Sequence, residues 1–257
     1  MNLISKSLIY SSVLISSSLL AQVKKPLTDD DKKSLEGIIV EKYYVNDGSQ
    51  KDTSSSNPLP KGAVTYRIYV DMKPGYTLQA VFGVTNHDLN IKTTTKFFNT
   101  YNGGDATGDK IDDLKINNPN VAFDSWITMG AATDEHFGIP KTEDTDGSII
   151  KKKGFEKVDG LIKAKIKPIT YFGLDLTFFN NIKDATSFTT DNASWAIFGG
   201  IKGPTDDNKV LIAQLTTDGK LSFELNLQIG TPTGASIQFV AKNPVDKEIK
   251  FDGLTYK

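Results

Sequence analysis

"VLIAQLTTDGKLSFELNLQIG", residues 210 to 230, contains two alternating apolar segments separated by Asp218 and Gly219. Asp-Gly between such segments is the strongest short-range signal for a β-hairpin, because tight hairpin turns need residues that accept positive φ. The stretch therefore predicts two β-strands joined in a hairpin at residues 218–219.

Similar strand patterns recur along the chain. In "TYRIYVDM", residues 65–72, apolar Ile68 and Val70 alternate with Arg67, Tyr69 and Asp71. This alternation predicts a strand with one face in the core and one in water. Further segments rich in β-branched and aromatic residues predict strands at 37–45, 77–84, 89–99, 121–130, 169–180, 194–200, 235–242 and 248–256. With no convincing helical periodicity, the pattern indicates an all-β fold: a single antiparallel β-sandwich, jelly-roll-like, over residues 37–257, with long acidic loops.

The first residues have the layout of a secretory signal peptide. One Lys near the start is followed by an apolar, serine-rich run from Leu8 to Leu20 and a small residue, Ala21. The run is shorter than the ~20 residues of a membrane span. We expect cleavage after Ala21, with Ser18 as the alternative, and a flexible charged lead over 22–36. The predicted location is extracellular or on the cell surface.

Composition excludes several function classes. The chain has no cysteine, so it has neither disulfides nor a lipidated cysteine. Its net charge is −1 and Arg67 is its only arginine, which disfavours a nucleic-acid-binding protein. Two histidines, His87 and His136, and no GxSxG motif give little support for a hydrolytic triad.

Two acidic turns are the candidates for a metal site. "TEDTDGSI", residues 142–149, places Asp144 and Asp146 before Gly147, although Thr142 and Lys153 stand where an EF-hand loop needs Asp and Glu. A Gly-rich loop at 103–113 carries four more acids: Asp105, Asp109, Asp112 and Asp113. Two interpretations are open: solvated turns, or a structural Ca²⁺ site in which an exposed loop bearing Asp144 and Asp146 shares oxygens with 103–113.

Aromatic rings offer a second kind of site, because their apolar faces can stack on sugar rings. Tyr76 and Tyr101 lie in turn-rich segments and are predicted to be exposed and ligand-binding. Trp126 and Trp195 lie within strand patterns and are expected in the core.

Four sequence segments together resemble a known domain: residues 64–83, 91–99, 118–130 and 210–230. They are similar to a domain of secreted and surface proteins of Bacteroidetes and, more loosely, of other bacteria. The resemblance implies an extracellular β fold and carries no catalytic motif. The expected function is a non-catalytic secreted or cell-surface module for adhesion, matrix or glycan association. The alternative is a polysaccharide-active hydrolase that uses paired carboxylates.

Overall fold

Strands dominate the chain, as the alternating pattern predicts. The computed structural model describes residues 26–49, 57–100, 102–181 and 183–257. The strands are β1 Leu35–Val45, β2 Val64–Met72, β3 Thr77–Gly83, β4 Leu89–Thr93, β5 Trp126–Ile127, β6 His136–Gly138, β7 Leu161–Lys163, β8 Thr170–Phe172, β9 Ser187–Thr190, β10 Ala193–Ile201, β11 Lys209–Thr217, β12 Leu221–Glu224, β13 Asn226–Gly230, β14 Ser236–Val240, β15 Ile249–Lys250 and β16 Thr255–Tyr256. Two helices, α1 Pro119–Ala122 and α2 Thr177–Asn180, have only four residues each.

Most of the strands form three sheets. Sheet I has the order β1-β2-β11-β5, sheet II the order β15-β14-β13-β3-β10-β8, and sheet III the order β16-β12-β4-β9. β6 and β7 form a separate pair. The ladders are antiparallel except the short contact between β14 and β15. The predicted all-β, sandwich-like fold is confirmed.

The main core lies between sheet I on one side and sheets II and III on the other. Sheet II contributes one row of side chains in register across its six strands: Tyr171, Trp195, Val81, Leu227, Phe239 and Ile249. Four of these, Trp195, Val81, Leu227 and Phe239, are fully buried. Sheet I faces them with Ile68 and Val70. Because side chains alternate along a strand, the rows on either side of this one point away from the main core. Three residues of these rows, Phe82, Asn226 and Val240, are nevertheless buried.

The second face of sheet I is also buried, which corrects the prediction of a wet face. Arg67 and Tyr69 are 1% and 0% exposed. The irregular segment from Phe98 to Leu161 covers them and forms a second apolar core, which includes Phe123 and Phe155. Strand alternation showed which side chains share a face, but a long loop decided whether that face meets water.

Arg67 connects this covering segment to sheet I. Its guanidinium lies 3.5 Å from the centre of the Tyr43 ring. Its Nε donates to Gln214 Oε1 at 3.0 Å, and Nη1 donates to the Gly160 carbonyl at 2.9 Å. The buried charge therefore has a stacked ring and two hydrogen-bond acceptors.

The Asp218-Gly219 turn does not form the predicted hairpin. β11 has β2 on one side, and its other edge is occupied by β5 at Ala213 and Gln214 and by residues 97–98 at Thr216 and Thr217, so it has no free edge for β12. β12 pairs with β4 instead, with Leu221 opposite Thr93. The turn is a corner between sheets I and III, held by Thr95 Oγ1 donating to Asp218 at 2.7 Å.

Element boundaries differ from the sequence prediction in several places. The strand predicted at 89–99 ends at Thr93, the one within 210–230 that follows the turn divides into β12 and β13, and the one at 248–256 divides into β15 and β16 around a 3-10 turn. β1 begins at Leu35 rather than Gly37, and Asp31–Lys33 forms a 3-10 turn in the second half of the predicted lead. The strand predicted at 121–130 shortens to Trp126–Ile127 after helix α1. The strand predicted at 169–180 ends at Phe172 and is followed by helix α2. The predicted signal peptide, residues 1–21, lies outside the described residues.

Candidate functional site

Asp144 is buried, so the prediction that it lies in an exposed loop is wrong. Its Oδ2 accepts the N–H groups of Asp159 at 2.9 Å and Gly160 at 2.8 Å. Its Oδ1 accepts those of Asp146 at 3.2 Å and Gly147 at 3.3 Å. Burial opposes ionisation, but these N–H bonds outweigh it and hold the pKa of Asp144 below its ordinary value. The carboxylate organises a turn and its lone pairs face hydrogen-bond donors.

The acids of the 103–113 loop do not converge on one point. Asp105 accepts from Thr107, Asp109 from the Tyr171 hydroxyl at 2.7 Å, and Asp112 from the Leu114 N–H. Asp113 lies 2.6 Å from His136 Nδ1. Asp146 is exposed beside the Asp144 turn. Among the described residues, no group of three or more His, Asp or Glu side chains is arranged to hold a metal ion.

The tyrosine prediction fails for Tyr76, which is only 5% exposed. Its hydroxyl donates to Asp31 Oδ1 at 2.9 Å, and this bond fixes the 3-10 turn before β1. Tyr101 lies outside the described residues. The expectation that both tryptophans are buried is confirmed, since Trp126 is 1% and Trp195 0% exposed.

Both histidines are buried beside carboxylates. His136 shares Asp113 with the hydroxyl of Thr133, which donates to the same oxygen at 2.8 Å. His87 Nε2 lies 2.9 Å from Glu248, although neither ring nitrogen has a well-aligned hydrogen bond. Within the described residues, no serine hydroxyl is hydrogen-bonded to either imidazole. The described part of the chain therefore shows no Ser-His-Asp relay.

A different feature marks sheet II. Its five consecutive strands β14, β13, β3, β10 and β8 contain no Asp, Glu, Lys or Arg, in a chain that is 24% charged. We call the outward side of these strands the uncharged face; it carries Phe172, Phe198, Thr170, Ser194, Ala196, Gln79, Ala80, Gln228, Ser236 and Gln238. Charged residues on an exposed sheet limit association, so a surface without them is a candidate for binding.

The centre of the uncharged face is a set of connected amides. Gln79 Oε1 accepts from Gln228 Nε2 at 2.9 Å and from Ser236 Oγ at 2.8 Å. Gln79 is the extra residue of a β-bulge, because Ala80 pairs with Gln228 while Leu78 pairs with Ile229. A Cβ on Gly230 would lie 2.4 Å from Gln79 Nε2, so a larger residue there would displace this amide. Three strands thus hold the amides in fixed positions.

Phe198 is displayed by a second bulge opposite the first. Ala196 pairs with Ala80 and Ile201 with Leu78, so residues 197–200 loop out of the ladder at the level of Gln79. Gly199 and Gly200 have φ of 75° and 73°, a backbone conformation that favours glycine. Phe198 is fully exposed. Bulges commonly redirect a side chain next to a functional site.

Phe172 adds a second ring at the edge of the sheet. It is 65% exposed and pairs with Ser194 on the outer side of β10. The preceding residue, Tyr171, faces inward and donates to Asp109. Burial and this hydrogen bond raise the pKa of Tyr171, so the phenol stays protonated as a donor. The acidic loop at 103–113 thereby anchors the edge strand that carries Phe172.

A groove of about 1110 Å³ continues the face beyond β14. Gln228, Ser236 and Gln238 line it from the sheet, and Pro26 and Leu27 add apolar surface to its lining. The charged residues of the groove belong to the segments outside the face: Lys32, Asp246, Lys247 and Glu248. The side of the groove that joins the uncharged face therefore has the same apolar and amide character as the face.

No family model matches the chain, and comparisons with curated proteins and with solved structures return no match. In the described part of the chain, no helix has the length and apolar character needed to cross a membrane.

Sequence reasoning missed the residues of the uncharged face. "IFGGI", residues 197–201, places an aromatic before two glycines inside a strand pattern, and this combination is a signal for a bulge. The absence of charge from the five strand segments is visible in the sequence as well. Only the strand order of sheet II shows that these segments form one surface.

Proposed function

We propose that this protein is a non-catalytic, secreted or cell-surface module that binds neutral polysaccharide through the uncharged face. The observation that carries the proposal is the combination of two exposed phenyl rings with amides held in place by neighbouring strands. Apolar ring faces stack on the C–H faces of sugars. Amides and hydroxyls match the donors and acceptors of sugar hydroxyl groups.

The chemistry of the surface favours glycan over other ligands. A nucleic acid or an acidic glycan needs a cluster of cations, and the strands of the face supply none. A single lysine, Lys167 before β8, donates to the Gly200 carbonyl of the bulge at 3.1 Å. A protein partner of ordinary affinity would favour a larger apolar core with aromatic anchors. Here the two rings lie on the neighbouring strands β8 and β10, and the rest of the face, on β3, β13 and β14, carries Ala80 and the glutamines, which suits a hydrated, hydroxyl-rich ligand. The predicted extracellular location agrees with such a partner.

Affinity electrophoresis tests the proposal with soluble β-1,4-glucan, β-1,3-glucan, xylan and mannan, and with polygalacturonate as the charged control. We expect at least one neutral polymer to retard the protein and polygalacturonate not to retard it. Phe198→Ala should weaken binding about tenfold, equivalent to ~1.4 kcal/mol, without a change in melting temperature. Leu114→Ala is the matched control, because Leu114 is 89% exposed and lies outside the face.

Three results would overturn the proposal. The first is retardation by none of the neutral polymers. The second is an equal loss of binding in the Phe198 and Leu114 variants. The third is turnover of a bound polymer, which would favour the alternative of a hydrolase with paired carboxylates.

A further inference from the structure

The polar groups of the uncharged face are arranged across the strands. Thr170, Ala196, Ala80, Gln228 and Gln238 pair directly, each with the next, from β8 to β14. Adjacent strands are ~4.8 Å apart, so this row extends over roughly 19 Å. A long ligand that contacts the whole row must therefore cross the strands.

The bulges add a second line of groups beside this row. Phe198 on β10 and Gln79 on β3 lie at the same level of the ladder. Gln79 bonds to Gln228 on β13 and to Ser236 on β14. The groups thus follow one another from β10 to β14, in the same direction as the row: the Phe198 ring, the Gln79 and Gln228 amides and the Ser236 hydroxyl.

The groove begins where this line ends. β15 pairs only with Phe239 and Val240, so β14 has no neighbouring strand beside Ser236 and Gln238. The gap is the groove, with Ile237 and Ile249 among its lining residues. Gln238 is exposed at this boundary and makes no side-chain hydrogen bond among the described residues. Its amide is available to a ligand that passes from the face into the groove.

We propose, building on the proposed function, that the ligand is the interior of an extended neutral polysaccharide that runs from Phe198 across the strands into the groove beside β14. Phe198 contacts every bound chain, whereas Gln238 contacts only chains long enough to reach the groove. Chain ends make no specific contact. The ligand class that this surface selects is therefore a long, unbranched or sparsely branched polymer. Short oligosaccharides bind weakly.

Isothermal titration with a disaccharide-to-octasaccharide series of the retarding polymer tests this inference on the whole protein. We expect affinity to keep rising with each added sugar beyond the trisaccharide, because the row alone extends over roughly 19 Å and the groove continues it. Reduction of the terminal sugar to its alditol should leave the affinity of the octasaccharide unchanged. Gln238→Ala should weaken octasaccharide binding at least fivefold and leave disaccharide binding unchanged, because Gln238 lies three strands, roughly 14 Å, from Phe198.

The controls separate this inference from the proposed function. Phe198→Ala should weaken binding at every length at which binding is measurable. Asn180→Ala is the control for loss of an amide, because Asn180 is exposed at the end of α2 and lies outside both the face and the groove lining. It should leave the affinity for every length unchanged.

Two outcomes would overturn different parts of the account. If affinity reaches its maximum at the trisaccharide, or Gln238→Ala has no more effect on the octasaccharide than Asn180→Ala, the path into the groove is wrong while the binding face stands. If Phe198→Ala has no effect at any length, the proposed function itself is wrong.

Discussion

Replacing Asp144 by Asn tests how the acidic turn is built. The two side chains have nearly the same shape, so the change removes charge and one acceptor without opening a cavity. In the wild type the carboxylate accepts four backbone N–H groups, from Asp146, Gly147, Asp159 and Gly160. The Asn amide group would point its own donors at two of them.

The expected cost follows from the number of bonds affected. Hydrogen bonds to a charged group contribute about 1.5–3 kcal/mol each, and a buried donor without an acceptor costs about 1–3 kcal/mol. The bonds from the Asp159 and Gly160 N–H groups are the shorter pair. In the Asn variant the carbonyl oxygen can keep one of the two pairs of bonds, and the other pair is lost. We therefore expect a loss of about 2–4 kcal/mol. For a chain of this size that corresponds to a decrease in melting temperature of roughly 5–12 °C.

Thermal unfolding at pH 7, in EDTA and in millimolar calcium, provides the assay. Asp146→Asn is the matched control, since Asp146 is exposed and should change stability by less than about 0.5 kcal/mol. Because the folded pKa of Asp144 is lowered, its contribution is present above the unfolded pKa and is lost as pH falls through the folded value. Equal effects of the two variants, or a Tm increase with calcium that Asp144→Asn removes, would refute this description of the turn.

Two further predictions concern buried charge. Arg67→Lys should destabilise the fold by about 2–4 kcal/mol, because a lysine cannot both stack on Tyr43 and reach Gln214 and Gly160; an unchanged urea midpoint would contradict it. Asp124 is fully buried, and burial raises its pKa well above the ordinary value. The folded state therefore binds its proton more tightly; this stabilisation is fully present below the unfolded pKa of ~4 and is lost as pH rises through the folded pKa. Asp124→Asn should remove this pH dependence of the free energy of unfolding. The stability of the variant relative to wild type should therefore increase as pH rises from 4 to 8, and a constant difference would contradict the prediction.

Alternation predicted much of the fold because it reports which side chains share a face. It identified the strands around Ile68, Trp195 and Leu227 and the burial of both tryptophans. Pairing depends on which edges are free in three dimensions, and this is why Asp218-Gly219 suggested a hairpin although β2 and residues 97–98 already occupy both edges of β11 beside the turn. The burial of Arg67 depends on a segment that is distant in sequence and has little regular structure.

The candidate site was less predictable, because one residue type serves several purposes. An Asp before a glycine can bind a metal or accept N–H groups in a turn, and the local sequence is the same in both cases. Asp144 accepts four N–H groups, and this depends on residues 159 and 160. For Phe198, by contrast, the local sequence is informative. Its exposure results from a bulge, and the glycines of that bulge are visible in the sequence.

Hydrogen exchange at single-residue resolution tests whether the uncharged face of sheet II binds neutral polysaccharide. The measurement compares the free protein with the protein saturated by the octasaccharide of the retarding polymer. We predict slower exchange in β3, β10, β13 and β14 around Gln79, Phe198 and Gln238, with no change in the Asp144 turn. Protection confined to the Asp144 turn or to sheet III, with none in these strands, would contradict the claim.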